Sequence, residues 1–523
     1  MSGLAAFFAM RKWRAHLILF VLGLLAIFGF APFHAWGVTL LSLSLFFACL
    51  LVNNKQAGVS VFWASLCYAL GYFIANTYWI GSAFIERGPE FVPLMPPMVL
   101  GLAMSMASLW ALAGKMFQKY GGSGWRAIIS LTGLFTLAEI VRGHIFGGLP
   151  WNLPGYMFEA GGPISQVAAL INIYGLTAIV FAVSACLALV WTSGQKIVPA
   201  LVAGVVPVLM AGFGFFRVSS SDITYHNDIN FRLVQVQFKQ SERFNPDRND
   251  EIMTEFIRQS VSPGIEDITH LIWPEGAVRG LALENADLMR TMSDVLSRDD
   301  DTPPVWLLDT LRHEYARNAS GEIQNVYYNS SVAITFTAEG VPAVAASNDK
   351  RRLVPFGEFI PGGGILEDLG ARTIVPNLTS LTPAPEKTLV AFPGLPVVSA
   401  RICYEIIFPG LMPDLGKAEW ILNQSNDAWY GSSVGPHHHA NIAAYRAIET
   451  GLPIVRSTSN GISGVIDPYG RYIRHMLPDS EGVLDTALPQ AQKTGQPTRQ
   501  ITCLIALFCL IGVTVNALVR RAG

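Results

Sequence analysis

Residues 396–405 read PVVSARICYE, a short apolar run that ends in a cysteine, a tyrosine and a glutamate. A run of this length and β-branched content predicts a buried strand. A thiol on the turn that ends such a strand is projected toward a substrate, with the next backbone N–H free to stabilise an oxyanion. Cys49, Cys67, Cys186, Cys503 and Cys509 lie in apolar runs, where they serve as small packing residues, and only Cys403 lies outside them. No disulfide framework or zinc-ligand spacing appears. A lone cysteine is more often a packing residue than a nucleophile, so Cys403 decides nothing by itself.

A free thiol has a pKa of about 8.5 and needs a base or a cationic neighbour to react. Two segments upstream offer these. Residues 271–275 (LIWPE) set Glu275 just past a hydrophobic strand, and residues 348–358 (NDKRRLVPFGE) set Lys350 ahead of an apolar turn that ends in Glu358. Singly, each reads as a solvated loop charge. Their order along one α/β domain gives them weight.

That domain spans about residues 220–495. Residues 231–238 (FRLVQVQF) alternate like a half-buried strand and 248–259 have helical spacing. Short strands are predicted at 269–273, 304–308, 331–335, 396–402, 419–423 and 453–456, followed by a hairpin around Asp467-Pro468-Tyr469-Gly470. From Asp222 to Arg499 there are 23 basic against 34 acidic residues, a net charge of −11, which excludes a nucleic-acid partner.

The rest of the chain addresses a different solvent. Overall, 51% of the 523 residues are hydrophobic and 14% charged, and the mean hydropathy is +0.38. Apolar stretches near 15–34, 35–52, 58–81, 94–114, 127–147, 165–191, 197–216 and 501–519 approach the roughly 20 residues a membrane helix needs. The expectation is an α-helical polytopic membrane domain of about eight spans: helices one to seven in residues 1–219, the α/β domain in 220–495, and a closing span with a cytoplasmic tail in 496–523. With both termini in the cytoplasm, that side receives ten Lys/Arg in short loops, including Arg11, Lys12, Arg14 and Lys55. The other side receives Arg87, Arg142 and Arg217. The α/β domain is then periplasmic. The first apolar run is long, lacks a clear cleavage site and is followed at once by another, so it reads as a span and not a signal peptide.

The ordered set of strand-Trp-Pro-Glu, Lys with LVPFGE and strand-Cys-Tyr-Glu resembles the catalytic Glu-Lys-Cys set of the carbon-nitrogen hydrolase, or nitrilase, superfamily. The resemblance implies a four-layer αββα sandwich, with Glu275 as general base, Lys350 as the cation that stabilises the oxyanion, and Cys403 as nucleophile. Glu358 would position the lysine and substrate, with Tyr404 and Glu405 as further supporting residues and the Tyr404 N–H meeting the oxyanion. Together with the spans, SNDAWYG (425–431), RSTSNGISGVI (456–466), AEIVRG (138–143) and GLPW (148–151), the chain resembles the bacterial apolipoprotein N-acyltransferase family over essentially its full length. This implies a multi-pass enzyme of the bacterial inner membrane that needs no cofactor. It would move an acyl chain from the sn-1 position of a phospholipid, typically phosphatidylethanolamine, through a Cys403 thioester to the N-terminal amine of the diacylglyceryl-cysteine of an apolipoprotein. Trp429, Tyr430 and Phe359 would line the acyl or amine pocket, and the absence of a heptad seam points to a monomer.

Other features carry less. His437-His438-His439 could bind metal, but three consecutive side chains do not converge on one ion from a regular element, so no metal site is expected. Glu139 and Arg142, three residues apart, read as a structural ion pair near the interface. Gly362-Gly363-Gly364 suggests a hinge for a lid. An alternative reading is a membrane-anchored nitrilase-type amidase, although one or two helices would suffice as an anchor. A transporter with a degenerate nitrilase-like domain would need more ionisable residues along its spans than Glu139 and Arg142.

Overall fold

The computed structural model describes residues 12–53, 60–193, 196–297, 302–317, 321–337, 339–360, 380–385, 389–410, 417–492 and 498–522. The chain divides into two compact units, one of Met1–Ser221, Ser432–Glu449 and Gln496–Gly523, the other of Asp222–Gly431 and Thr450–Gly495. The sequence suggested Gly362–Gly364 as a hinge, and these residues lie outside the described set.

The first unit is helical. Among the described residues, Pro89–Tyr120, Ile164–Thr192, Ile197–Ser219 and Gln500–Val519 are long and apolar enough to cross a membrane, and Trp13–Gly29 and Trp36–Val52 are shorter apolar helices. Each of the eight expected spans contains a helix, and among the described residues four of these are long and apolar enough to cross a membrane. Trp125–Arg142 carries Arg126, Glu139 and Arg142 within its 18 residues. In helices Ile197–Ser219 and Gln500–Val519 large apolar side chains point outward, as with Leu201, Val205, Leu209 and Phe216, or Leu504, Phe508 and Val515. This inverts the pattern of a soluble helix and suits hydrocarbon as solvent.

Inside this unit, aromatic rings do much of the packing. Phe46 stacks on Tyr68 at 4.1 Å, and Trp110 lies against both. Glu139 and Arg142 form a fully buried ion pair. Trp110 Nε1 donates to Glu139, and the Arg142 guanidinium also donates to the carbonyls of Leu149 and Trp151, so its donors are spent on structure. Helix Ala168–Thr192 breaks at Asn172, where φ is 50°. The N–H of Ile173 freed by the break donates to Glu449 Oε1 at 2.9 Å, and Asn172 Oδ1 accepts from the N–H of Tyr174 at 2.8 Å, so no backbone donor at the break is abandoned.

The second unit is built on two sheets. The first has the order β11-β1-β2-β3-β4-β5, with β1 Tyr225–Gln235, β2 His270–Ile272, β3 Val305–Arg317, β4 Ile323–Phe336, β5 Pro342–Asp349 and β11 Gly482–Pro489. The second has the order β10-β9-β8-β7-β6, with β6 Val398–Ile402, β7 Trp420–Asn426, β8 Ile454–Ser459, β9 Ser463–Ile466 and β10 Tyr472–Met476. Strands β1, β2 and β3 run parallel, as do β6, β7 and β8. One face of each sheet shares a core in which Phe231, Leu233, Ile272 and Leu307 meet Trp420, Leu422 and Val455. The rings of Phe231 and Trp420 lie 5.3 Å apart.

Successive residues alternate across the first sheet. Leu271, Trp273, Trp306 and Leu308 therefore face away from the second sheet and pack with Phe256 and Met292 of helices Pro246–Ser260 and Ala286–Leu296. Each helix starts on an asparagine cap: Asn245 accepts from Asp247 N, and Asn285 from Leu288 N at 3.0 Å. The unit thus contains a helix layer and two sheets of the expected αββα sandwich. Helix Gly435–Thr450, which follows β7 in sequence, groups with the helical unit as far as Glu449.

Candidate active site

Three strand ends and one loop meet at the edge of the inter-sheet layer. Glu275 lies three residues beyond β2, past Trp273 and Pro274, where the chain has left the strand. Lys350 follows β5 directly, its N–H donating to Asn329 O at 2.8 Å. The Lys350 ammonium is buried and pairs with Glu275 Oε1 at 3.2 Å and with Glu358 Oε1 at 2.7 Å. Asn329 Nδ2 donates to both carboxylates, at 2.8 Å to Glu275 and 3.4 Å to Glu358. The second oxygen of each carboxylate takes a backbone N–H. Glu275 Oε2 accepts from Asn426 at 2.9 Å, and Glu358 Oε2 from Val354 at 2.8 Å, which folds the LVPFGE turn onto itself. Two carboxylates around one ammonium fix its charge: burial alone would lower the Lys350 pKa, but Glu275 and Glu358 outweigh it and hold it well above the ordinary value.

Cys403 sits where β6 ends, with φ of 47°, a left-handed conformation that a non-glycine residue adopts at a cost. The neighbouring Glu405 holds that turn. Its Oε2 accepts from Ile402 N at 3.0 Å, and its Oε1 from the N–H groups of Arg351 and Arg352 at 2.8 and 3.1 Å. Burial raises the Cys403 thiol well above its usual range, Glu275 raises it further and Lys350 opposes them. At rest the sulfur is a thiol, and it needs a base in the same field to take its proton.

The structure brings Glu275, Lys350 and Glu358 into direct contact and sets Cys403 within their field. Glu405 gives both oxygens to backbone N–H groups and so acts on the turns. Tyr404 is half-buried, its ring edge-on to Phe408 at 5.0 Å. Trp429 and Tyr430 lie half-buried in the turn Asp427–Tyr430 after β7. Burial, the main cause, and then the charge of Cys403 push up the Tyr430 hydroxyl. Phe359 is half-buried beside Glu358.

Two family models match this chain, the apolipoprotein N-acyltransferase N-terminal domain over residues 22–186 and carbon-nitrogen hydrolase over residues 271–496. The apolipoprotein N-acyltransferase of Caulobacter vibrioides is 32% identical, covering 98% of this chain and 96% of its own. Those of Rhodopseudomonas palustris and Bradyrhizobium diazoefficiens are each 31% identical, covering 91% and 92% of this chain and 90% of theirs. The chain belongs to the apolipoprotein N-acyltransferase family. It carries apolar helices and a carbon-nitrogen hydrolase domain in one chain.

Within this family framework, sequence reasoning missed several residues that organise the site. Asn329 bridges the two carboxylates from the middle of β4. Its signal was a polar residue at the same strand parity as Ser331 and the core residue Ala333. Asn426 contributes a backbone N–H, which no side-chain pattern announces. Behind it, Asp427 and Arg456 form a buried ion pair at 2.7 Å, and Ser425 Oγ donates to Asp427 at 2.7 Å, bracing the SNDAWYG turn.

Among the described residues no three metal-capable side chains converge. His438 serves another purpose. Its Nδ1 accepts from Asn152 Nδ2 at 3.0 Å and from Trp151 Nε1 at 3.3 Å, and burial, the main cause, pushes its pKa down to about 3.

Proposed function

We propose that this chain transfers the sn-1 acyl chain of a phospholipid, typically phosphatidylethanolamine, to the free α-amine of the diacylglyceryl-cysteine at the N-terminus of apolipoproteins. The observation that carries the reading is the Lys350 ammonium held between Glu275 and Glu358 beside a strained Cys403, in a chain whose relatives bear that activity's name. Glu275 takes the thiol proton as Sγ attacks the ester carbonyl. The S–C bond forms, and the oxyanion is met by Lys350 and the N–H of Tyr404. Collapse breaks the C–O bond, and the lysophospholipid leaves with the proton from Glu275. The amine nitrogen then attacks the thioester, Glu275 accepts its proton, and the Cys403 sulfur leaves and is reprotonated as the amide forms.

In this reading eight helices span the inner membrane, seven in residues 1–219 and one in 496–523, and residues 220–495 face the periplasm while both termini face the cytoplasm. The protein acts as a monomer. Trp429, Tyr430 and Phe359 shelter the thioester from water. The test is intact-mass analysis of the purified protein incubated with phospholipid. A fatty-acyl adduct on Cys403 is expected to persist until a peptide with an N-terminal diacylglyceryl-cysteine is added, and to survive when the α-amine of that peptide is blocked. Decay to free fatty acid at one rate with and without acceptor would make the protein a hydrolase.

A further inference from the structure

A fourth carboxyl lies beneath this cluster and takes no part in the steps above. Asp309 is on β3, 3% exposed. In the β3–β4 register Asp309 stands opposite Ser331, and Leu311 opposite Asn329. Asp309 and Asn329 are therefore diagonal neighbours on one face of the sheet, at a spacing of about 7–8 Å. It is the inter-sheet face, because Leu307 and Ala333 at the same parity belong to the core shared with the second sheet. Ser331 spends its hydroxyl hydrogen on Gln424 Oε1 at 2.6 Å, and the Asn329 carboxamide nitrogen is committed to Glu275 and Glu358.

Among the described residues, the buried atoms Asp309 Oδ2 and Asn329 Oδ1 have no hydrogen-bond partner. A carboxylate and an amide oxygen are both acceptors and have nothing to share, whereas a carboxylic acid carries one hydrogen to give. We propose that Asp309 is a positioning residue held as the neutral acid, whose hydroxyl hydrogen satisfies the Asn329 carboxamide oxygen, directly or through one water, and thereby aims Asn329 Nδ2 at Glu275 and Glu358.

The surrounding charges agree with a neutral acid. Burial raises the Asp309 pKa well above the ordinary carboxylate value. Glu275 beyond β2, Glu358 in the LVPFGE turn and Glu405 beyond β6 raise it further, and only Lys350 beyond β5 opposes them. Ionisation would remove the donor to Asn329 and set a further negative charge against a single ammonium. The proton on Asp309 therefore fixes the amide on which the proposed general base rests. This inference depends on the reading of Glu275 as base for its kinetic consequence, but not for the protonation state itself.

The test uses the full-length protein in detergent or lipid nanodiscs. In the infrared difference spectrum between wild type and Asp309→Asn at neutral pH, the band lost is expected to be a carboxylic-acid carbonyl stretch. Loss of carboxylate bands instead would overturn the proposal, whatever reaction the enzyme performs. Acylation of Cys403 by phospholipid, followed by intact mass across pH, gives the second readout. Wild type should decline on the alkaline side as Asp309 ionises. Asp309→Asn, whose carboxamide keeps a donor and cannot ionise, should match wild type at neutral pH and lack that decline. Asp309→Leu should be slower by about tenfold at neutral pH, the effect of one hydrogen bond. An Asp309→Asn enzyme as slow as Asp309→Leu, or one that keeps the alkaline decline of wild type, would overturn the positioning role. Absence of any acyl adduct in wild type would sink the acyl-transfer reading and leave the infrared result standing.

Discussion

Glu405 Oε1 accepts the backbone N–H of Arg351 at 2.8 Å, joining the residue that follows Lys350 to the turn that begins at Cys403. Its other oxygen holds Ile402, the residue before the cysteine. One carboxylate thus sets the spacing between the proposed nucleophile and the proposed oxyanion cation, although it is bonded to neither. Three backbone N–H groups converge on its two oxygens, more than a carboxamide with one oxygen can serve.

Glu405→Gln should therefore loosen both turns and leave the fold intact. A hydrogen bond to a charged group contributes about 1.5–3 kcal/mol, so the rate of Cys403 acylation should fall roughly 10- to 100-fold, with KM for phospholipid unchanged. Acyl-adduct formation followed by mass spectrometry measures this. A change confined to KM would show that Glu405 acts on substrate instead.

The protonation state of Cys403 gives a pH prediction. Because burial and Glu275 hold its pKa above that of a free thiol, the thiolate is scarce at neutral pH and grows as pH rises. Alkylation of Cys403 by iodoacetamide should have its midpoint above the usual value of about 8.5. Lys350 opposes this shift, so Lys350→Met should move the midpoint further up and cost acylation about 100-fold or more, the loss typical of an oxyanion donor. A Lys350→Met protein that alkylates like wild type would remove the lysine from the field of the sulfur.

The chemically expensive residues were legible in the sequence, and much of what supports them was not. Glu275 and Cys403 stand beside strand ends where apolar runs stop abruptly, Lys350 stands ahead of the apolar LVPFGE turn, and their order along the chain marks them. Strand β5, PAVAASND, was not anticipated because its Ala and Ser have low strand propensity and as an edge strand it stays half-exposed. Strand β11, the opposite edge of that sheet, escaped for the same lack of a buried run. Asn329 and Asp309 lie inside strands, where an inward polar residue acquires meaning only once the facing sheet and its carboxylates are known. The span count was the weakest reading. Hydropathy finds apolar stretches, but the charges of Trp125–Arg142 separate an apolar helix from one that crosses a bilayer unaided.

Topology is testable independently of chemistry. Ten Lys/Arg in the short loops of one side against three on the other favour cytoplasmic termini. A reporter fused after Gly523 should behave as cytoplasmic, and one inserted near Asp300 as exported. Matching signals from the two positions would refute an even number of spans with an exported central domain.

Two glycines in one turn separate backbone strain from damage to the site. Gly276 and Gly280 both have positive φ, 78° and 81°, so alanine at either position carries the left-handed penalty of about 1–2 kcal/mol. Their surroundings differ. A Cβ at Gly280 would meet nothing within 4 Å, whereas one at Gly276 would lie 2.5 Å from Asn426 Nδ2 and 3.0 Å from its Cγ. Asn426 cannot simply swing aside, because its Nδ2 donates to Gln240 at 2.9 Å and its backbone N–H holds Glu275 at 2.9 Å. Thermal unfolding should register the backbone penalty alone in Gly280→Ala and a larger loss in Gly276→Ala, where the clash with Asn426 adds to it. Acylation of Cys403 should fall by about tenfold or more in Gly276→Ala alone, the cost of disturbing one charge-assisted hydrogen bond. Equal activity in the two variants would mean that the Asn426 N–H does not hold Glu275 in its working position.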